Sequence, residues 1–141
     1  MLVLDANILM RAVLGKRTRA LLAQYSGRIE FVAPDIAFDD AMKRIPEVIA
    51  RRKLEEEPFL IYFKSLANII RTVDRDDYRE FETIARQRLA RRDEDDWPIL
   101  ATALALKCPI WTEDTDFFGC GVATWTSDRV ELYLDGTAAN Q

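Results

Sequence analysis

Residues 93–117 read DEDDWPILATALALKCPIWTEDTDF, and the fold follows from how this run divides. Its middle predicts a helix, because Ile99, Leu100, Ala103, Leu104 and Ala105 are apolar or strong helix formers with no glycine among them. Pro98 fits the first turn, where backbone N–H groups have no internal partner. Asp95 or Asp96 is placed to cap that end, where a carboxylate also meets the positive end of the helix dipole. Lys107 falls in the last turn, and Pro109 stops the helix. Pro109-Ile110-Trp111-Thr112 then reads as a short buried strand that empties into Glu113, Asp114 and Asp116. Acids therefore stand at the start of a helix and at the end of the strand after it. In a parallel α/β layer those two places share the carboxyl edge of the sheet, where such folds bind ligands.

Working outward, Leu2-Val3-Leu4 is a continuous apolar run, the signature of a strand buried on both faces. It leads through Asp5 and Asn7 into helical stretches over 8–14 and 18–25, broken at Gly15. Glu30-Phe31-Val32-Ala33 reads as a second strand closed by Pro34, and a helix is expected over 35–52, kinked or split at Pro46. Further helices are expected over 59–73 and 78–90, with a turn at 74–77. A last strand is expected over 122–126, and then a short helix capped by Ser127 or Asp128 and running to Leu134. The pattern is a single α/β domain over 1–135, a short parallel sheet of four to five strands with helices on both faces, with a frayed polar tail over 136–141.

The 141 residues are 49% hydrophobic and 10% aromatic, enough for a real core. A net charge of −4 and a pI of about 4.9 exclude nucleic-acid binding by bulk positive charge, although not contact with phosphate through a bound cation. Histidine is absent, which removes catalytic triads built on imidazole and His-ligated zinc. Cys108 and Cys120 lack a metal-ligand spacing and point to reduced thiols. With no signal peptide and no membrane-length apolar run, a cytoplasmic protein is expected.

The acids converge on one rim. Asp5 leaves the first strand, Asp39 and Asp40 lie in the first turns after the second, Asp96 opens the helix before the third, and Asp114 and Asp116 leave the third. Each alone reads as a cap or a solvated residue. Together they crowd like charges, which is tolerable at neutral pH with a cation among the oxygens. Without His or paired Cys, a hard oxygen-liganded ion is favoured, Mg²⁺ with Mn²⁺ as substitute. Such ions serve phosphodiester cleavage. Arg11, Lys16, Arg17 and Arg19 form a basic segment near the rim and are candidates for phosphate contacts.

LVLDAN at 2–7, DDWPILATALAL at 95–106 and TEDTDF at 112–117 resemble the PIN-domain ribonucleases, and among them the VapC-like toxins of toxin–antitoxin pairs. The similarity spans nearly the whole chain. It implies a PIN-like fold and a Mg²⁺- or Mn²⁺-dependent endoribonuclease. Its catalytic acids would be Asp5, Asp40, Asp96, Asp114 and Asp116, and its metal ligands Asp5, Asp96, Asp114 and Asp116. Asn7 and Thr112 would support them. For the toxin branch it implies a homodimer silenced by a VapB-like antitoxin. One departure stands out: the second acid is usually a glutamate, whereas here the register points to Asp40, with Asp39 beside it. Adjacent helical residues point about 100° apart, so only one of the two faces the rim. That departure leaves room for an inactive PIN-like module that binds partners. A haloacid-dehalogenase-type phosphatase is disfavoured, because Asn7 stands where its second aspartate is needed. The apolar residues of 59–63 would serve the core, a dimer or antitoxin docking.

Overall fold

Five parallel strands lie in the order β3-β2-β1-β4-β5 in the computed structural model, which describes residues 1–139. The strands are β1 (Leu2–Leu4), β2 (Phe31–Pro34), β3 (Ile70–Val73), β4 (Ile110–Trp111) and β5 (Thr124–Trp125). Leu2 pairs with Phe31, Leu4 with Trp111, Phe31 with Ile70, and Trp111 with Trp125. β1 is central, and its three residues are fully buried. That explains its unbroken apolar run, each side chain contributing about 1.5–3 kcal/mol on burial.

The first helical group is α1 (Ala6–Leu14), α2 (Lys16–Tyr25), α3 (Asp35–Arg51) and α4 (Glu56–Leu66). The second is α5 (Arg75–Tyr78), α6 (Glu82–Arg88) and α7 (Trp97–Leu106), and α8 (Val130–Ala139) closes the chain. Helices cover both faces of the sheet. In α3, Ala37, Ala41, Ile45 and Ile49 recur every four residues and are buried. Pro46 does not divide that helix as expected. Residues 97–103 of α7 are buried all round, as befits a central helix.

Four expectations need correction. The helix over 59–73 ends at Leu66, and Ile70–Val73 is instead the edge strand β3. The stretch over 74–90, expected as a turn and then one helix, is instead α5, a tight turn at Arg79–Phe81, and α6, which ends at Arg88. α7 stops at Lys107, which adopts the left-handed conformation at φ 54°, two residues before Pro109 acts. The last helix runs to Ala139, so the expected frayed tail is helical over 136–139; Asn140 and Gln141 lie outside the described residues.

Arg88 is a clamp. Its guanidinium donates to the Cys120 carbonyl at 3.2 Å and packs where a Cβ on Gly121 would sit, 2.7 Å from Nη1. Gly121 also needs its hydrogen side chain for a φ of +90°. Both cysteines are buried free thiols. Among the described residues no helix is long and apolar enough to cross a membrane.

Candidate active site

At the carboxyl edge of β1, Asp5 leaves the strand and caps α1, accepting the Ile8 N–H at 2.9 Å on Oδ1. Its other oxygen accepts the hydroxyl of Thr112, which leaves the neighbouring strand β4 and is fully buried. The same hydroxyl oxygen accepts the Asp114 N–H at 2.9 Å. Thr112 thus ties the ends of β1 and β4 together. Asp114 in turn caps the next tight turn, its Oδ1 accepting the Asp116 N–H at 2.9 Å.

A small cavity of about 90 Å³ opens above these groups, lined by Asp5, Asn7, Asp40, Arg44, Asp96 and Asp114. Asp95 also reaches it. Four of the five acids expected to act together meet there, each from a different segment. Asp116 is half-buried and does not line the cavity; it contributes a backbone N–H to Asp114. Of the adjacent pair, Asp40 lines the cavity, whereas the charge of Asp39 bears on Tyr78. Tyr78 is held by Asp35, its hydroxyl donating to Oδ1 at 2.6 Å. The angular offset of neighbouring helical residues separates the two aspartates in this way.

Asp96 heads α7 without capping it, so its side chain remains available to the cavity. Asp93 takes the capping work one turn earlier, accepting the Asp95 N–H. Burial, followed by the nearby charges of Asp93, Asp114 and Asp5, pushes the Asp96 carboxyl up to about 7, and a hydrogen bond with Asp114 adds to the rise. Asp5 is also raised, by burial first and against the pull of Thr112 and the Ile8 N–H; Asp114 and Glu113 add repulsion. The cavity is therefore a place where negative charge is held at a cost.

The basic segment disperses. Arg17 donates to the Ser127 carbonyl, and Arg19 donates to the Val13 carbonyl while stacking over Tyr62 at 4.0 Å. Lys16 is exposed away from the cavity. Arg11 remains near, 3.8 Å from Glu113 in a half-exposed pair. The cation that does line the acidic cavity is Arg44, which lies outside the basic segment singled out in the sequence. Its signal was its spacing: four residues beyond Asp40, on the same side of α3.

The donor set suits a hard divalent ion: carboxylate oxygens from several segments, in a chain without imidazole. As the side chains stand, no group of three or more Cys, Asp or Glu among the described residues is arranged to hold an ion. Burial and the neighbouring charges of Asp93, Asp114 and Asp5 disfavour ionisation of Asp96 within this cluster.

Three solved structures share this fold. A toxin–antitoxin complex from Klebsiella pneumoniae matches with a TM-score of 0.62 at 19% identity, covering 90% of this chain and 98% of that one. FitAB bound to a DNA fragment matches with a TM-score of 0.59 at 19% identity, covering 90% and 95%. FitAcB from Neisseria gonorrhoeae matches with a TM-score of 0.53 at 20% identity, covering 90% and 98%. No curated protein matches. The PIN domain family model aligns with residues 3–135, nearly the full length, and the chain belongs to the PIN domain family.

Proposed function

We propose that this chain is a divalent-metal-dependent endoribonuclease and the toxin of a toxin–antitoxin pair. The observation that carries the reading is the small cavity where Asp5, Asp40, Asp96 and Asp114 meet, with Asp96 raised to about 7. A carboxylate cluster held against its own repulsion is a cluster in want of a cation. Asp5, Asp96 and Asp114 would hold Mg²⁺ or Mn²⁺, with Asp40 reaching it through water and Asp116 in a supporting place. A bound ion would lower the pKa of water and offset charge on the phosphoryl oxygens of RNA. Thr112 fixes the Asp5 carboxylate, and Asn7, exposed at the mouth, would orient the attacking water or the strand. The likeness to a toxin–antitoxin complex supports an antitoxin as partner, taken here to be VapB-like; the exposed Ile61 and Tyr62 on α4 would serve a homodimer.

The test is cleavage of a labelled RNA in Mg²⁺ and in Mn²⁺ by wild type, Asp5→Asn and Asp96→Asn. Wild type is expected to cut, and both variants to lose activity while staying folded by circular dichroism. Wild-type rates in Asp96→Asn would remove the assignment.

A second reading, a partner-binding PIN-like module without catalysis, is favoured by one observation: among the described residues no ready group of three ligands exists. Titration with Mn²⁺ separates the two, since a module of that kind has no tight site.

A further inference from the structure

Beside the acidic cavity, and sharing Asn7 with it, lies a larger hollow of about 360 Å³. It is bounded by α1 through Met10, Arg11 and Leu14, and by α3 through Val48 and Arg52. The two helices pack side by side, and residues of both line the cavity and the hollow, which meet at Asn7. Asp40, Arg44 and Val48 of α3 and its cap residue Arg52 face these spaces, a spacing of four whose row winds by only about 40° per step. The face changes sign along its length: an aspartate at the acidic end, then Arg44, then Val48 and Arg52.

Cations near a helix C-terminus complement the dipole wherever they point. Arg51, in the last turn of α3, meets that need and lines neither space, and Lys43 in mid-helix lines neither as well. Arg44 and Arg52 do line them, and among the described residues neither guanidinium makes a hydrogen bond or ion pair within the chain. Their separation is about 12 Å along the helix axis. In a chain of net charge −4, two unpaired guanidiniums and a loosely paired third beside a carboxylate cluster make a local, directional field. The floor between them is apolar (Met10, Leu14, Val48), which suits a ribose or a base face.

We propose that this α1–α3 groove is the track for a single RNA strand. Arg44 meets the phosphate at the acidic cavity, where it offsets carboxylate repulsion, and Arg11 and Arg52 meet phosphates on one flank. The inference rests on the nuclease reading and names the residues that position its substrate. Arg44 and Arg52 are positioning residues; neither supplies a reacting atom.

The test compares wild type with Arg52→Gln, Arg44→Gln and Arg51→Gln, the last removing the same charge from a different face of the same helix. Binding of a fluorescent single-stranded RNA oligonucleotide is read by anisotropy in EDTA over a salt series, and cleavage by KM and kcat in Mn²⁺. Arg52→Gln is expected to weaken binding several-fold, to reduce the salt slope by about 0.7, and to raise KM with kcat kept. Arg44→Gln lowers affinity and also kcat, and Arg51→Gln changes neither. If wild type cuts RNA and Arg52→Gln keeps its KM and salt slope, the track is overturned while the nuclease reading stands. If wild type cuts nothing, the nuclease reading fails; equal salt slopes for Arg51→Gln and Arg52→Gln then overturn the track as well. Competition by polyglutamate as strong, per charge, as that by unlabelled RNA would assign the groove to an acidic protein segment and overturn the RNA strand.

Discussion

Replacing Asp96 by asparagine should stabilise the metal-free protein at alkaline pH, although it removes a residue proposed for catalysis. The side chain keeps its shape and loses its charge. In the fold its carboxyl titrates near 7 rather than at its ordinary 3.8, because burial and the charges of Asp93, Asp114 and Asp5 disfavour ionisation. An acid raised by folding adds stability that is complete below its unfolded pKa and is lost as pH rises through the folded one. The loss therefore falls between about pH 4 and pH 7. At about 1.4 kcal/mol per pH unit the full displacement would be worth about 4 kcal/mol, and screening of this half-exposed group brings it to about 2 kcal/mol. Urea unfolding in EDTA at pH 5, 7 and 8.5 measures it. Wild type should lose stability across that range, whereas Asp96→Asn should lose less and exceed wild type at pH 8.5. Adding Mn²⁺ should restore wild type alone. If Asp96→Asn is no more stable than wild type at pH 8.5, the carboxylates are not in conflict and the electrostatic argument is wrong.

Other changes probe the supports of the site. Thr112→Val should cost about 2–4 kcal/mol, because it strands the buried Asp5 oxygen and the Asp114 N–H together, whereas Thr112→Ser should cost about half as much or less. Equal urea midpoints for Thr112→Val and wild type would show that the hydroxyl bridges nothing. Gly121→Ala should lower thermal stability by about 1–3 kcal/mol through its φ of +90° and the clash with the Arg88 guanidinium, and a second change, Arg88→Ala, should recover only the clash. Tyr78→Phe, which removes the hydroxyl bonded to Asp35, should cost about 1–2 kcal/mol in denaturant unfolding.

Much of this architecture is written in local pattern. The buried run Leu2-Val3-Leu4, the helix after Asp96 and the strand Ile110–Trp111 announce themselves because each is apolar throughout, and the acids at their ends mark the sheet edge. β3 escaped because the apolar spacing of α4 continues into it without a glycine or proline. The informative signal was the β-branched cluster Ile69, Ile70, Thr72 and Val73 after Asn68. Arginines were the least legible. Arg17 and Arg19 looked like phosphate contacts and turned out to be tied to backbone carbonyls, because a long side chain answers to neighbours distant in sequence. Arg44 does not stand out in the sequence and yet lines the acidic cavity, as its four-residue offset from Asp40 requires once the face of α3 is fixed. Asp116 stands in the same block of sequence as Asp114 but does not line the cavity, a detail of turn geometry that letters do not carry.

The claim at the centre is that carboxylates from separate segments hold one kind of divalent ion at the end of β1 and β4. The most direct measurement is Mn²⁺ titration followed by the electron paramagnetic resonance signal of the free ion, for wild type and for the double variant Asp5→Asn/Asp96→Asn. Wild type should remove at least one equivalent of Mn²⁺ from solution and the double variant none, with both proteins folded. Equal uptake by the two proteins, or no uptake by wild type at millimolar Mn²⁺, would contradict the account.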